Sequence, residues 1–460
     1  FWLKQLVGSA MTAFVAVLSA PPLASLPAAA PSGARLQARG STAESSWRAS
    51  ASLQHTSLGA TSLAAGGCVA LGCASLAQRR SRRAVRCAPR VLRHVVQDEQ
   101  QFPPSRRSAG LAAAAALLPQ LLLPASASAE RLATLTEVDL AEAKGKVVVI
   151  TGATSGVGLE AARTLVRAGS DVYVTGRTLA KAEAAVANIT AGAGAGAGRA
   201  IPLELNLASL SSVRSFAKKW SSHVKRPIDV LACNAGLALG QDQKEPSYTE
   251  DGFELTVGTN HLGHFLLANL MRPQLSPTAR IVVTASSVHD PSTGDPGSQA
   301  GLGNLSGLEV GHFGKGASAM VDGGSWDAGK AYKDSKLANV EFTLELARRL
   351  KQEGSKITVN CLSPGLIPSP TFFRNQSPAF AGTFAWAANN LLHISETTEF
   401  GGDTLVFMAL DKGLEGRSGV FFSAVPPGQH VFMEKIPSPE ARDETEAAEL
   451  WRRSAALVGL

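Results

Sequence analysis

The sequence predicts an α/β fold with a doubly wound parallel sheet in a single domain, on two observations. Short runs rich in β-branched residues recur from residue 147 onward, separated by segments long enough for helices. A glycine-rich segment directly follows the first run. Alternating strands and helices favour parallel strands covered by helices on both faces. The predicted strands are VVVI at 147–150, VYV at 172–174, LELN at 203–206, IDVLA at 228–232, RIVVTA at 280–285, ITVNC at 357–361 and GVFFS at 419–423.

Two segments between these strands place apolar side chains three or four residues apart, which predicts amphipathic helices. They are Ala161, Ala162, Leu165 and Val166 before Gly169, and Leu337, Val340, Leu344 and Ala347. A further helix is predicted at 440–457. The repeat AGAGAGAGR at 191–199 predicts a loop without functional weight.

The composition excludes several classes of protein. Of the 460 residues, 45% are hydrophobic and 18% are charged, as in a globular protein. Five scattered cysteines are too few for a disulfide scaffold or a zinc cluster, so we expect no metal site. Residues 1–129 hold 13 of the 44 basic side chains but only three of the 37 acidic ones, which leaves 31 basic and 34 acidic residues in the remainder. This balance gives no basic surface for nucleic acid.

The composition also predicts a targeting leader at 1–129 and a folded domain at 130–460. An apolar stretch at 5–20 follows Lys4, as in a secretory signal, and residues 31–95 are rich in Ala, Ser and Arg, as in a transit peptide. A secretory signal followed by a transit region predicts delivery to a plastid.

A third element ends the leader. Ser105-Arg106-Arg107 precedes an apolar run that ends in Ala127-Ser128-Ala129, and twin arginines before such a run resemble a thylakoid-lumen signal. Cleavage there would leave a chain that starts near Glu130. An uncleaved membrane anchor or a plain Ala-rich helix is the alternative, so the stroma, the thylakoid membrane and the lumen all stay open.

The glycine-rich segment predicts a dinucleotide site of the Rossmann type. Strand VVVI runs directly into TGATSGVG at 151–158, and the next residues predict a helix. Glycines permit a tight turn and let the backbone approach a pyrophosphate, whose charge the helix N-terminus stabilises. The second strand ends in Arg177 rather than in an acid, and a guanidinium can pair with a 2′-phosphate. NADP is therefore favoured over NAD.

Two asparagines after neighbouring strands extend this site. Asn206 follows the third strand at the corner where an adenine would lie, and Asn234-Ala235-Gly236 follows the fourth, where the backbone would support the cofactor.

A second group of residues predicts proton transfer. Tyr332 and Lys336 are four residues apart, so they lie on one face of a helix, where the ammonium lowers the pKa of the phenol. Tyr332 is then a general acid, and Lys336 also binds the nicotinamide ribose. Ser287 follows a strand and is placed to hydrogen-bond the substrate. Asn260 precedes an apolar helix and is placed to hold a water that relays protons to Lys336.

These motifs together resemble the short-chain dehydrogenase/reductase family. The match covers 145 to about 370 and consists of TGATSGVG, CNAG at 233–236, NHLGHF at 260–265, TASSV at 284–288, AYKDSK at 331–336 and SPG at 363–365. The resemblance implies NADPH-linked hydride transfer with Asn260, Ser287, Tyr332 and Lys336 as catalytic residues. The cofactor contacts that it implies are Gly152, Thr154, Ser155, Gly156, Val157, Gly158, Arg177, Asn206, Leu207, Asn234, Ala235, Gly236, Tyr332, Lys336, Pro364 and Gly365.

A long insertion makes the sequence resemble one group within this family in particular, the light-dependent protochlorophyllide reductases. The insertion lies between Ser287 and Tyr332 and contains LGNLSGLE at 302–309; TNHLGHFLLANL and Phe373-Arg374-Asn375 are also similar to that family. The resemblance implies reduction of a tetrapyrrole C=C bond in a plastid, with a small-molecule substrate. Thylakoid-membrane association and oligomer formation stay open.

Three positions depart from that family. It has cysteines where this chain has Leu366 and Ala338, and tyrosine where this chain has Ser363, whereas Cys233 keeps the pattern. The absent thiols favour a second hypothesis, an NADP-dependent carbonyl reductase similar to the retinol dehydrogenases, which share NHLGHF and SKLAN. A third hypothesis is a catalytically silent NADP-binding protein.

Two further groups have a structural and a functional interpretation. His261 and His264 are interpreted as packed or capping residues rather than ligands. A set of aromatic residues either lines a tetrapyrrole cleft or fills a core. These are Trp326, Phe372, Phe373, Phe380 and Phe384.

Overall fold

The structure is a computed structural model that describes residues 132–133, 138–240, 242–311, 313–369, 373 and 375–460. The predicted leader at 1–129, the start near Glu130, and residues Phe372 and Arg374 lie outside the described residues. Among the described residues, none of the helices combines the length and the apolar character that crossing a bilayer requires.

A nine-stranded sheet forms the centre of the domain. Its strands are β1 (Leu132–Ala133), β2 (Val147–Ile150), β3 (Asp171–Gly176), β4 (Ala200–Glu204), β5 (Ile228–Cys233), β6 (Leu275–Thr284), β7 (Thr358–Ser363), β8 (Phe421–Ala424) and β9 (Phe432–Lys435). The order across the sheet is β1-β9-β8-β7-β6-β5-β2-β3-β4. Strands β2 to β8 pair in parallel, so the predicted parallel sheet is confirmed for them. The edge strands β9 and β1 pair antiparallel and were not predicted.

Eight helices of nine residues or more cover the described part of this sheet. They are α1 (Gly156–Arg167), α2 (Leu179–Thr190), α3 (Leu210–Lys219), α4 (Gly263–Met271), α5 (Ala328–Gln352), α6 (Pro378–Asn390), α7 (Thr398–Leu410) and α8 (Glu444–Val458). A helical turn at Leu255–Val257 and a π-helical turn at Gly258–Leu262 lead into α4. The predicted terminal helix begins later than expected because Asp443 caps it, accepting hydrogen bonds from the backbone N–H groups of Thr445 and Glu446.

Both faces of the sheet are buried, because the apolar strands alternate their side chains between two cores. Val148 and Ile150 of β2 pack with α1, α2 and α7, whereas Val147 and Val149 pack with α3, α4, α5 and α8. This arrangement explains why the strands read as continuous apolar runs.

The chain changes direction across the sheet between β2 and β5. After β2 it continues outward through β3 and β4, and after β5 it continues the opposite way through β6, β7 and β8. A crevice forms at the carboxyl ends of the two strands where the order reverses, and ligands of such sheets bind there. The glycine turn follows β2 and Asn234 follows β5, so both lie at this crevice.

The insertion before α5 is built from loops and short 3₁₀ turns and has its own apolar anchors. Leu302, Leu305 and Leu308 are at most 2% exposed and join the core on the α5 side of the sheet. The insertion is therefore packed onto the domain next to the helix that carries Tyr332.

Candidate active site

The glycine turn between β2 and α1 lies against the loop that follows β5. Gly152 has φ +67°, and a Cβ added there would lie 2.8 Å from Cα of Ala235. A Cβ added at Gly158 would lie 2.6 Å from Nδ2 of Asn234. Both glycines are therefore required for the two loops to pack together.

The outer side of this turn is open and fits a pyrophosphate. Gly156, with φ +58°, has open space around an added Cβ. Ser155 precedes α1, and in the described structure its side chain forms no capping hydrogen bond. The first N–H groups of α1 therefore remain available to an anion at the positive end of the helix, flanked by the half-buried Thr154 and Val157. The residues present fit a dinucleotide, as predicted from the sequence.

Thr151 joins this turn to the loop after β5. Its Oγ1 accepts hydrogen bonds from the backbone N–H of Asn234 at 2.8 Å and of Ala235 at 2.9 Å. In return, Asn234 Nδ2 donates to the Thr151 carbonyl oxygen at 2.9 Å. Thr151 was not predicted from the sequence, although it is the first residue after VVVI.

The predicted adenosine-side residues follow adjacent strands. Arg177 is exposed directly after β3. Asn206 follows β4, and its Nδ2 donates to Oε1 of Glu250 at 3.2 Å. Leu207 is buried, and its carbonyl oxygen would lie 2.4 Å from a Cβ at Gly263. The structure thus places Arg177 and Asn206 at the same edge of the sheet as the glycine turn.

Tyr332 and Lys336 lie one turn apart on α5, as predicted. The Lys336 Nζ atom lies 5.5 Å from the centroid of the Tyr332 ring and donates to the Thr284 carbonyl oxygen at 3.0 Å. A Cβ added at Gly236 would lie 3.5 Å from this Nζ. The ammonium is therefore between the phenol and the loop after β5.

The electrostatics of this pair differ from the prediction. Burial lowers the pKa of Lys336 to about 8. Burial also raises the pKa of Tyr332 above its ordinary value, and the hydrogen bond with Ser286 offsets only part of that rise. The predicted lowering of the Tyr332 pKa is wrong for this structure, because the loss of water around the phenol outweighs the nearby ammonium. Tyr332 therefore holds its proton at neutral pH.

The hydroxyl that forms a hydrogen bond with the Tyr332 phenol belongs to Ser286, the residue before the predicted Ser287. Ser287 is half-buried, and its backbone N–H donates to Ser363 Oγ at 2.9 Å. Ser286 is a site residue that sequence reasoning missed; the signal for it was the adjacent pair of serines at the end of β6.

Asn260 uses its side chain to hold the loop after β5. Its Nδ2 donates to the Leu237 carbonyl oxygen at 2.9 Å and to Ser335 Oγ at 3.0 Å, and its Oδ1 accepts from the Leu237 N–H at 2.9 Å. Ser335 in turn donates to the Tyr332 carbonyl oxygen at 2.6 Å. Asn260 thus links the loop to the helix of Tyr332, and the predicted water relay stays a prediction.

The two histidines of this segment are both buried, and they face different partners. His264 Nδ1 lies 3.0 Å from the Asn260 carbonyl oxygen and Nε2 lies 2.9 Å from Thr151 Oγ1. His261 Nε2 lies 2.9 Å from Ser454 Oγ of α8. Burial lowers the pKa of each imidazole to about 4. Both side chains are therefore neutral at physiological pH.

The loop after β7 reaches the crevice from the other side. Gly365, with φ +87°, packs on Glu396, since an added Cβ would lie 2.6 Å from Glu396 Cγ. Pro364 and Leu366 on either side of it are half-buried.

Of the three positions with thiol chemistry in question, Ala338 and Cys233 lie in the core, whereas Leu366 is half-buried. Ala338 is 1% exposed. Cys233 is fully buried, and burial raises the pKa of its thiol to about 12, so the thiol stays protonated.

Three of the predicted aromatic residues form a cluster. The ring centroid of Phe373 lies 5.3 Å from that of Phe384, and those of Phe380 and Phe384 lie 5.8 Å apart. Phe373 is 8% exposed, whereas Phe380 and Phe384 of α6 are half-buried, as is Trp326 in the insertion. The cluster follows Gly365 in the chain, and whether it lines a cleft or fills a core stays a prediction.

Comparisons with known proteins agree with this geometry. A family model described as short chain dehydrogenase matches residues 146–293. A chloroplastic protochlorophyllide reductase of Daucus carota is 37% identical over 346 residues, which cover 72% of this chain and 84% of that protein. The chloroplastic protochlorophyllide reductase A of Oryza sativa subsp. japonica is 38% identical over 324 residues, covering 68% of this chain and 81% of that protein.

A solved structure is also similar. An uncharacterised protein from Mycobacterium paratuberculosis has a TM-score of 0.52 and 30% sequence identity, covering 72% of this chain and 98% of that one. The chain belongs to the short-chain dehydrogenase/reductase family, and its sequence is similar to those of the protochlorophyllide reductases.

Proposed function

We propose that this protein is an NADPH-dependent reductase of the protochlorophyllide reductase type, acting on a C=C bond of a tetrapyrrole. The observation that carries the proposal is the half-buried Tyr332 beside the buried Lys336, next to an open glycine turn, in a chain that is 37% identical to a chloroplastic protochlorophyllide reductase. The insertion next to α5, which is packed by its own leucines, supports a large substrate in preference to a small one.

NADPH is the cofactor, and it supplies the hydride when it is bound. The open N-terminus of α1 holds the pyrophosphate, and Arg177 pairs with the 2′-phosphate. Asn206 and Leu207 lie where the adenine binds. Gly236, Lys336, Pro364 and Gly365 would hold the nicotinamide half.

Tyr332 delivers the proton. Its phenolic O–H bond breaks and the proton bonds to the substrate carbon next to the one that accepts the hydride, so that the C=C bond becomes a C–C bond. The phenolate that remains is stabilised by the Lys336 ammonium and by a hydrogen bond from the Ser286 hydroxyl. A buried phenol with a raised pKa has its proton in place before the reaction starts.

Light is the expected requirement of this reaction. A conjugated C=C bond is a poor hydride acceptor in its ground state, so excitation of the pigment provides the driving force. The test is to bind protochlorophyllide with NADPH in the dark, apply a flash and follow the absorbance of the product. We expect product only after the flash. Product without light, or bound pigment that the flash leaves unchanged, would contradict this function.

Replacement of Tyr332 by Phe separates catalysis from binding. The variant keeps the ring and loses the proton, so turnover falls by about 10²- to 10⁴-fold while NADPH affinity stays within about twofold. An unchanged turnover would assign the proton to another group. Loss of turnover with intact binding also excludes a catalytically silent NADP-binding protein for the wild type.

A second function has its own supporting observation. Leu366 and Ala338 occupy the positions of the family's cysteines, and Ala338 lies in the core where a thiol would be buried. An NADP-dependent reductase of lipophilic carbonyl compounds needs neither thiol, and Tyr332 would then protonate the substrate oxygen. Rapid dark turnover of a retinal-like aldehyde with NADPH would favour this function over the first.

The proposed location is the plastid. The targeting pattern of residues 1–129 supports it, and the relatives named above are chloroplastic. A fusion of residues 1–129 to a fluorescent protein tests it, because import into plastids is expected and retention in the cytosol would contradict it. Membrane association and oligomer formation belong to the same proposal and are tested by fractionating the full chain.

A further inference from the structure

His264 takes part in a closed ring of hydrogen bonds around Gly236. On one side, Thr151 Oγ1 accepts from the backbone N–H groups of Asn234 and Ala235. On the other side, the Asn260 side chain binds both the N–H and the carbonyl oxygen of Leu237. His264 joins the two sides, because its ring nitrogens lie 2.9 Å from Thr151 Oγ1 and 3.0 Å from the Asn260 carbonyl oxygen.

The partners fix which ring nitrogen carries the proton. The Asn260 carbonyl oxygen can only accept, so Nδ1 of His264 is the donor. In the neutral ring Nε2 then accepts, and the Thr151 hydroxyl donates to it. The hydroxyl also lies 3.2 Å from the Ala232 carbonyl oxygen, a longer contact than the 2.9 Å to the ring.

A neutral imidazole suits this place beside Lys336. Burial, together with the nearby Lys336 ammonium, lowers the pKa of His264 to about 4. The neutral imidazole therefore bridges the glycine turn and the loop after β5, and it adds no second positive charge next to the Lys336 ammonium. The two atoms that the imidazole contacts, Thr151 Oγ1 and the Asn260 carbonyl oxygen, are both uncharged.

We propose that His264 is a positioning residue, which fixes the glycine turn and the Asn234–Leu237 loop relative to each other for NADPH binding. This inference rests on the proposed function for the identity of the cofactor. The ring of hydrogen bonds encloses Gly236, where an added Cβ would lie 3.5 Å from Lys336 Nζ. Without these hydrogen bonds, the glycine turn and the Asn234–Leu237 loop could move independently of each other.

Two substitutions each remove one of the two hydrogen bonds of the His264 side chain and keep the other. His264→Asn keeps the bond to the Asn260 carbonyl oxygen, because an asparagine four residues along a helix makes this bond elsewhere in the chain. Asn269 donates to the Phe265 carbonyl oxygen at 2.8 Å, and Asn390 donates to that of Trp386 at 3.0 Å. His264→Gln instead places an amide near the position of Nε2, within reach of Thr151.

His261 provides a matched control. It lies in the same segment, is equally buried at 1% exposure, and also has one hydrogen bond from Nε2, but this bond goes to Ser454 of α8 and away from the turn. His261→Leu and His264→Leu therefore remove the same side chain from equally buried positions. Only His264→Leu opens the ring of hydrogen bonds.

The experiment is titration of the full chain with NADPH, followed by the cofactor's fluorescence, with the Tm of each variant measured in parallel. We expect His264→Leu, His264→Asn and His264→Gln to raise the Kd for NADPH by about fivefold or more, because each opens the ring of hydrogen bonds, and His261→Leu to leave it within about twofold. The two leucine variants are expected to lose similar amounts of Tm.

Equal NADPH affinity in the two leucine variants would overturn the inference, because His264 would then have a structural role alone. A weaker affinity in both, in proportion to the loss of Tm, would overturn it as well. If the wild-type chain binds no NADPH at all, the proposed function fails and this inference fails with it. If it binds NADPH but does not reduce protochlorophyllide, only the substrate is wrong, and the comparison of the variants still decides the role of His264.

Discussion

The hydroxyl of Ser286 forms a hydrogen bond with the phenol of Tyr332. Ser286 is the last residue before the 3₁₀ turn Ser287–His289, and its Oγ also accepts from the Val288 N–H at 3.4 Å. The neighbouring Ser287 instead donates its backbone N–H to Ser363 on β7. Two adjacent serines therefore have different partners, and only one of these hydrogen bonds reaches the proposed proton donor.

Ser286→Ala and Ser287→Ala are expected to differ. Removing the Ser286 hydroxyl takes away a donor that stabilises the phenolate, and such a donor contributes about 2 to 4 kcal/mol, so kcat falls by about 30-fold or more. Ser287→Ala keeps the backbone bond to Ser363, and we expect kcat to change by less than about threefold. Single-turnover rates of the two variants decide between them.

A larger loss of kcat in Ser287→Ala than in Ser286→Ala would contradict this prediction and would support Ser287, the residue predicted from the sequence. A similar NADPH affinity in both variants is the control that the glycine turn is intact.

The parallel sheet could be predicted because most strands from β2 to β8 contain a short apolar run, such as VVVI in β2. The edge strands β1 and β9 could not: FMEK has two charged residues in four, and its antiparallel pairing with β8 depends on a turn that brings the chain back. The predicted family is confirmed by the comparisons. This prediction came from the resemblance of several motifs, among them TGATSGVG at 151–158 and AYKDSK at 331–336, to those of the family.

The site could be predicted in outline and not in its contacts. Spacing along α5 brings Tyr332 and Lys336 together whatever the rest of the chain does. The sign of the Tyr332 pKa shift, in contrast, depends on how completely the phenol is buried, which no local motif encodes. The partners of His264 are Thr151, directly after β2 and 113 residues away in the chain, and Asn260 in the π-helical turn before α4, so their meeting is a property of the fold.

The charge on Lys336 predicts an alkaline limit to activity. Its ordinary pKa is near 10.5, and burial lowers it to about 8, so the ammonium that stabilises the phenolate is present below pH 8 and lost above it. We expect the rate to fall about tenfold per pH unit above this value. Rates of the wild type between pH 6 and 10 provide the measurement.

Unfolding can be separated from this loss of rate. The unfolded lysine keeps its proton up to about pH 10.5, so between pH 8 and 10.5 the unfolded state binds more protons, and this group adds stability as the pH rises. A falling rate with a Tm that does not fall therefore reports the active-site charge. A rate that stays level to pH 10 would contradict the prediction.

Arg177 predicts the choice between the two nicotinamide cofactors. Arg177→Ala removes the cation that pairs with the 2′-phosphate, and a charge-assisted hydrogen bond of about 1.5 to 3 kcal/mol corresponds to a 10- to 100-fold rise in the Kd for NADPH. The Kd for NADH is expected to change by less than about twofold. Arg199→Ala is the matched control, because Arg199 is also exposed but pairs with Asp171 at the other end of β3. Equal effects on both cofactors would assign Arg177 to the solvated surface.

A buried ion pair fastens the insertion to the helix of the active site. Lys330 Nζ lies 2.6 Å from Asp334 Oδ2 one turn along α5, and also 3.2 Å from Asp322 Oδ2 and 2.7 Å from the Gly301 carbonyl oxygen. The Gly301 N–H donates to Asp334 Oδ1 at 3.1 Å. Residues near both ends of the insertion are thus bound by charged groups on either side of Tyr332.

Lys330→Met is therefore expected to destabilise the protein strongly. The Asp334 side chain is 0% exposed and burial raises its pKa to about 7, so removing Lys330 leaves a buried carboxyl group that keeps the hydrogen bond from the Gly301 N–H but has lost its cation, which costs about 3 kcal/mol. Lys412→Met, the control, removes a cation that is 59% exposed and pairs with Asp139 and Glu142, so it is expected to cost less than about 1 kcal/mol. Urea denaturation measures both. Because the insertion borders the substrate space, we also expect Lys330→Met to raise the KM for the tetrapyrrole while the Kd for NADPH stays constant; an equal rise in both would show that the ion pair supports the whole domain and not the insertion.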